Sequence, residues 1–304
     1  MEEKITREIL SKVRQVEVRT RRLVDDSLAG SYHSVFKGRG MNFDEVREYV
    51  PGDEIRTIDW NVTARTGTPH VKKFTEEREL TILLAIDISG SGRFGSGHWS
   101  KREMMAELGS VLAFSAVRND DKVGLILFSD FVELYIPPGK GHSHILRVIR
   151  EILFFQPRSR GTDINGALDF INRVTRRKCV VFLISDFRLP GDFAATMEAM
   201  RPKLRITGRR HDLIAVSVTD PREHRLPDVG WITLEDAETG EQVAVNTSDP
   251  AIRSAYERRN SEQEQQLQHT IRGTGIDLLE LSTDIPYVTP LLKFFGNRRR
   301  RMSR

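Results

Sequence analysis

The stretch LLAIDISGSGRFGSG, residues 83–97, joins an apolar run to a polar loop that is rich in glycine and serine. The loop fits two motifs that exclude each other. Gly90 to Gly95 matches the G-x-G-x-x-G turn of dinucleotide-binding folds, whereas Asp87 to Ser91 matches D-x-S-x-S, which can hold a hard cation through oxygen. Both motifs need a preceding strand, so the rest of the chain has to decide between them.

The flanking sequence fits the dinucleotide motif poorly. Its last glycine should lead into a helix, but the chain stays irregular in character through His98. The acidic residue that such folds place about 20 positions further on would fall inside a predicted helix over 101–118. The cation-binding interpretation is therefore favoured, and its plain structural alternative is a capped turn.

From residue 80 onward, apolar runs alternate with helical repeats. The segments 79–87, 179–186 and 211–218 are each predicted to be buried strands, and amphipathic helices separate them. This alternation predicts an α/β fold with a doubly wound, mostly parallel sheet and helices on both faces. Within it, the segment WITLEDAETGEQVAVN (231–246) predicts a small hairpin insertion.

The domain organisation follows from changes in composition. An amphipathic helix is predicted over 4–24, and a segment rich in Gly, Arg, Asp and aromatic residues follows it. We expect residues 1–77 to pack on a main domain over 78–296, with 30–77 forming an irregular or β-rich appendage. The arginine-rich residues 297–304 are expected to form a disordered basic tail.

Composition excludes several functional classes. The single cysteine, Cys179, excludes internal disulfides and multi-thiolate metal sites. No apolar run approaches the roughly 20 residues of a membrane helix, and the N-terminus lacks a secretory signal, so we expect a cytoplasmic protein without a transmembrane segment. The net charge of +4 includes five arginines in the last seven residues, so no specific nucleic-acid partner is expected.

Polar side chains stand where the predicted strands end. Because ligands gather at the carboxyl ends of parallel strands, these side chains are expected at one rim of the sheet. The candidate metal-site residues are Asp87, Ser89, Ser91, Thr162 and Asp186. We expect the three hydroxyls to ligate Mg²⁺, or another divalent cation such as Mn²⁺ or Ca²⁺, and the two carboxylates to balance its charge. An open coordination position would accept a carboxylate from another protein.

This set of residues resembles the metal-ion-dependent adhesion site of von Willebrand factor A domains, and the order of elements over 78–296 is similar to that fold. Upstream, GRGMNFDEVREYVPGDEIRTIDWNVTAR (38–65) resembles the signature of the domain-of-unknown-function 58 family, bacterial proteins usually encoded beside MoxR-type AAA+ ATPases. The matching residues are Gly38, Gly40, Phe43, Asp44, Arg47, Tyr49, Gly52, Asp53, Arg56, Asp59, Trp60 and Arg65. The resemblance implies an adaptor or co-chaperone that works with such an ATPase and a protein client.

The charged members of this upstream segment also have a physical interpretation. Acidic and basic side chains alternate closely, as in a network that locks an irregular segment in place. The network residues are Asp44, Arg47, Asp53, Arg56, Asp59, Trp60 and Arg65. Structural locking is favoured, and a partner-binding surface is the alternative, because Arg and Trp are common at binding hot spots.

Two functions remain from different classes. The favoured one is a non-enzymatic, metal-dependent protein-binding module. The alternative is a Mg²⁺-dependent hydrolase or phosphotransferase that uses the same metal to activate water. Such an enzyme needs a general base beside the metal, and Asp163 and His98 are the candidates that the sequence offers.

Overall fold

The computed structural model describes residues 42–75, 79–189 and 191–302. They divide into two compact units, one ending at Leu80 and the other beginning at Thr81. The helix predicted over 4–24 lies outside the described residues. Within the described ranges, no helix combines the length and the apolar character needed to cross a membrane.

The first unit is a two-stranded antiparallel sheet with a helical connection. Strand β1 (Asn42–Glu48) pairs with β2 (His70–Thr75), and helix α1 (Trp60–Thr66) lies between them in sequence. Helix α1 begins where the Asp59 carboxylate accepts hydrogen bonds from two free amides of the first turn. It ends at Gly67, whose φ of 77° favours glycine. The packing of this unit on the main domain stays a prediction.

The second unit alternates strands and helices as the sequence predicts. Its elements are β3 (Thr81–Asp87), α2 (Lys101–Arg118), β4 (Lys122–Phe128), β5 (Val132–Gly139), α3 (His142–Phe154), α4 (Ile164–Val174), β6 (Val180–Ser185), α5 (Phe193–Arg210), β7 (Asp212–Thr219), α6 (Pro221–His224), β8 (Trp231–Glu235), β9 (Gln242–Asn246), α7 (Pro250–Gly273), β10 (Asp277–Ser282) and α8 (Val288–Met302).

A six-stranded sheet in the order β10-β7-β6-β3-β4-β5 forms the centre of this unit. Every neighbouring pair is parallel except β4 and β5, which form an antiparallel hairpin. The prediction of an α/β fold with a mostly parallel sheet is confirmed. Strand β3 lies between two parallel neighbours and is buried along almost its whole length, because its apolar side chains face helices on both sides.

The two faces of the sheet are covered by different helices. On one face, Leu83 and Ala85 share a core with α4, α5 and α7. On the other face, helix α2 approaches β3 closely at Gly109. A Cβ atom added to Gly109 would lie 3.0 Å from Ile86 Cδ1 and 3.3 Å from Ile152 Cδ1 of α3. The glycine therefore sets how near α2 comes to the sheet.

The predicted hairpin over 231–246 is confirmed as the antiparallel pair β8 and β9. A clasp closes its base, where the amide and the hydroxyl of Thr247 both donate to the Gly230 carbonyl, at 2.8 and 2.7 Å. Thr247 is fully buried although most of the hairpin is exposed. The two ends of the insertion are therefore held together beside the sheet.

The expectation of a disordered tail is wrong for residues 297–302. Helix α8 continues to Met302, and the Arg298 side chain is buried against the sheet edge. Its guanidinium pairs with Asp212 of β7, and its Nη1 lies 3.2 Å from an Asp277 carboxylate oxygen of β10. These carboxylates compensate the positive charge, so this part of the arginine run folds.

Candidate metal site

Two neighbouring parallel strands bring the candidate carboxylates to one rim of the sheet. Asp87 is the last residue of β3, and Asp186 directly follows β6, with Ile86 opposite Ile184 in the register between them. Both carboxylates are buried, at 2% and 4% exposure. Since two carboxylates are costly to bury together, each requires compensation from its surroundings.

Hydrogen bonds from neighbouring serines and backbone hold Asp87. Its carboxylate accepts the Ser89 amide at 2.9 Å and the Ser185 hydroxyl at 2.6 Å. The Ser89 and Ser91 hydroxyl oxygens lie 3.1 Å apart, and the Ser91 hydroxyl helps to lower the pKa of Asp186. The D-x-S-x-S loop thus gathers its oxygens around the two carboxylates.

The pKa of Asp87 indicates that its surroundings compensate the negative charge of this carboxylate poorly. Burial, together with the negative charge of Asp186, raises the pKa of Asp87 to about 7, although hydrogen bonds from Ser185 and Ser89 oppose the shift. A cation beside Asp87 would lower this pKa and favour the ionised form. The chemistry of the site therefore fits a bound cation.

Asp186 is compensated differently, by a buried lysine. Lys101 is fully buried at the start of α2, and its Nζ lies 2.5 Å from Asp186 and 2.6 Å from Glu223 of α6. Burial alone would raise the pKa of Asp186, but the Lys101 charge outweighs it and holds that pKa below its usual range. Lys101 thus fixes Asp186 in its charged form.

The hairpin insertion supplies a further carboxylate to the same rim. The Thr162 hydroxyl donates to the Glu238 carboxylate at 2.7 Å, and Glu238 stands in the turn between β8 and β9. The turn also lies against the D-x-S-x-S loop, because a Cβ added to Gly90 would fall 2.3 Å from the Ala237 carbonyl oxygen. The backbones approach so closely that residue 90 has room only for glycine.

All five predicted metal-site residues therefore meet at one rim. Within the described ranges, no group of three or more His, Cys, Asp or Glu side chains is arranged to hold a metal ion. The candidate site differs from such a group, because it combines two buried carboxylates with three hydroxyls. That mixture suits Mg²⁺, which prefers oxygen and keeps several of its waters. Metal binding itself stays a prediction.

The two candidate general bases have other structural roles. The Asp163 carboxylate caps helix α4 and accepts the Gly166 amide at 3.0 Å. His98 is exposed and makes an edge-on ring contact with Trp99.

The predicted network of the first unit is partly assembled within that unit. Arg47 donates two hydrogen bonds to Asp53, at 2.8 and 2.7 Å, and Asp59 caps α1. Arg56, Trp60 and Arg65 are exposed, as partner-binding residues would be, and Trp60 is 67% exposed. Asp44 lies on β1. Both interpretations, locking and partner binding, stay predictions.

Sequence reasoning missed three charged residues of the rim. Lys101 lies 85 positions from Asp186 and 122 positions from Glu223 in the sequence, and no local pattern links them. A weak signal exists, because Lys101 opens a helix, where the helix dipole disfavours a cation. A lysine there suggests an anionic partner. Glu238 gave no signal, since an acidic residue in a hairpin turn is ordinary.

Comparisons with known proteins agree with this organisation. A "Protein of unknown function DUF58" family model matches residues 45–266. An uncharacterized protein of Mycobacterium tuberculosis (strain H37Rv) is 33% identical over 294 residues, which cover 96% of this chain and 90% of that protein.

Two solved structures resemble the chain at low sequence identity. One is an aerotolerance-related membrane protein from Bacteroides fragilis, with 16% identity, a TM-score of 0.49, and coverage of 73% of this chain and 99% of that one. The other is the VWA domain of SpRpn10, with 12% identity, a TM-score of 0.40, and coverage of 71% and 94%. The match to the family model spans most of the chain, and the protein therefore belongs to the family of proteins of unknown function DUF58.

Proposed function

We propose that this protein is a non-enzymatic, metal-dependent binding module that captures a protein client through a carboxylate. In this proposal Ser89, Ser91 and Thr162 hold Mg²⁺, while Asp87 and Asp186 supply the negative charge that attracts it. The metal supplies a positive centre with exchangeable water positions, where a carboxylate of another protein can bind.

The observation that carries the proposal is the unequal compensation of the two buried carboxylates. Asp186 has Lys101 at 2.5 Å, whereas the bonds that hold Asp87 come from uncharged donors, Ser185 and the Ser89 amide. The pKa of Asp87, raised to about 7, expresses this shortage of positive charge. A divalent ion beside the two serine hydroxyls would remove it.

The partner part of the proposal rests on family membership. Because members resembling this chain are usually encoded beside MoxR-type AAA+ ATPases, we propose such an ATPase as the partner and an adaptor or co-chaperone role in the cytoplasm. Exposed Arg56, Trp60 and Arg65 of the first unit are suitable contact residues, since Arg and Trp recur at the centres of protein interfaces.

Calorimetric titration with Mg²⁺ tests the metal part. The wild type should bind Mg²⁺, and the Ser89→Ala/Ser91→Ala double variant should bind it at least about tenfold more weakly. Ser143→Ala is the matched control, because that exposed serine lies at the start of α3. Equal affinity in all three proteins would contradict the proposal.

Binding to a purified MoxR-type ATPase of the same genome tests the partner part. We expect binding of the wild type and loss of binding in Trp60→Ala, which removes the largest exposed side chain of the proposed contact surface. An ATPase that binds Trp60→Ala as well as the wild type would contradict this contact surface.

A further inference from the structure

The turn of the β8–β9 hairpin lies over the candidate metal site and brings a carboxylate of its own. Asp236 shapes this turn by accepting the amides of Glu238 and Thr239, at 2.8 and 3.0 Å. Gly240, with a φ of 76°, completes it. The backbone at residue 238 is therefore fixed within the turn.

Two contacts fix the turn on the site. The Thr162 hydroxyl donates its proton to Glu238 at 2.7 Å, and the Ala237 carbonyl oxygen rests on Gly90 of the D-x-S-x-S loop. Because the Thr162 hydroxyl gives its proton to Glu238, its lone pairs remain directed elsewhere and are free to face a cation.

The surroundings of Glu238 are mostly negative. The glutamate is half-buried, and Asp186, Asp236 and Asp130 place negative charge around it. A carboxylate held among carboxylates is unfavourable unless a cation joins them. The Glu238 carboxylate lies beside Thr162, where a client carboxylate would bind in the proposed function.

We propose that Glu238 is the chain's own occupant of the client position, so that the β8–β9 hairpin masks the metal site until an acidic side chain of a client displaces it. This inference rests on the proposed function, because it assigns an internal competitor to the same site. The Thr247–Gly230 clasp holds the base of the hairpin closed, and the turn, rather than the base, is the part that has to move.

Glu238→Gln tests the role of the charge, since glutamine keeps an oxygen that accepts from Thr162. We expect its Mg²⁺ affinity, measured by calorimetry, to fall about tenfold. Sodium acetate, used as the carboxylate probe, should restore that affinity in Glu238→Gln and should leave the wild type unchanged. Glu241→Gln, which alters an exposed glutamate of the same hairpin, is the matched control and should behave as the wild type.

Hydrogen exchange of peptide 231–246 provides a readout that is independent of metal affinity. Mg²⁺ should slow exchange in the wild type and in Glu241→Gln, but not in Glu238→Gln or Glu238→Ala. If the wild type binds Mg²⁺ and Glu238→Gln matches it in affinity, acetate response and exchange, the inference is overturned and the proposed function stands. A wild type that binds no Mg²⁺ would overturn both.

Discussion

Lys101 and Asp186 form an ion pair from which water is excluded, with the ammonium nitrogen 2.5 Å from the carboxylate and the lysine side chain fully buried. The same ammonium contacts Glu223 at 2.6 Å. The pair ties the first turn of α2 to the end of β6 and to α6. The ion pair therefore holds these three elements in place beside the serines of the D-x-S-x-S loop.

Replacing Lys101 with methionine should destabilise the fold strongly. The change keeps the apolar stem but leaves Asp186 as a buried charge, a loss that costs about 3–5 kcal/mol. The free energy of unfolding in urea measures it. Lys140→Met, at the exposed pair with Asp120, should cost less than about 1 kcal/mol. A similarly small loss in Lys101→Met would show that the buried pair contributes little.

Arg298→Ala should lower stability by about 2 kcal/mol or more, because two carboxylates at the sheet edge, Asp212 and Asp277, lose their buried partner. Arg300→Ala serves as the control, since that arginine is exposed two positions further along the same helix. Thermal unfolding of both variants measures the difference. Equal melting temperatures would show that burial of Arg298 between these carboxylates contributes little to stability.

The loss of folding stability at acidic pH should depend on Asp220. This buried carboxylate accepts four hydrogen bonds, from the amide and hydroxyl of Ser96, the Thr283 hydroxyl and the Arg222 amide. Burial alone would raise the pKa of Asp220, but these bonds outweigh it and hold the pKa below its usual 3.8.

Because the folded pKa is lowered, the unfolded chain takes up the proton first as the pH falls. The stabilisation is complete above the unfolded pKa and is lost as the pH falls through the lower folded value. Asp220→Asn should therefore be about 3 kcal/mol less stable than the wild type at neutral pH, and the difference should shrink below about pH 4. Asp228→Asn, at an exposed carboxylate, is the control in urea titrations across this range. A difference that does not change with pH would contradict this account.

The thiol of Cys179 should be inert in the folded protein. Burial, assisted by the charge of Asp212, raises the pKa of Cys179 to about 12, so almost no reactive thiolate exists at pH 8. An aromatic disulfide reagent should react slowly with the native chain and at the normal rate in denaturant. Rapid reaction of the native protein would mean that this end of β6 opens readily.

The fold was predictable because its signals are local. Strands β3 and β6 are short apolar runs, of which the first ends in Asp87 and the second is followed directly by Asp186, and their helices carry regular apolar repeats. The same rule located Asp87 and Asp186, since the topology of a parallel sheet carries strand ends to one rim.

The rest depends on distant contacts. The Thr162–Glu238 bond joins residues 76 positions apart, and no repeat or spacing in the sequence relates them. The prediction of a disordered tail was wrong for a related reason. Leu291, Phe295 and Arg298 lie on one helix face, and only the carboxylates of β7 and β10 make burial of the third member favourable.

The clasp between Thr247 and Gly230 makes the segment 231–246 a self-contained insertion. Since the chain enters and leaves at nearly the same point, a change in the length or sequence of the hairpin leaves the register of the six-stranded sheet unaltered. Exchange of this one segment should therefore alter the surface beside the rim while leaving the strands beneath it in place.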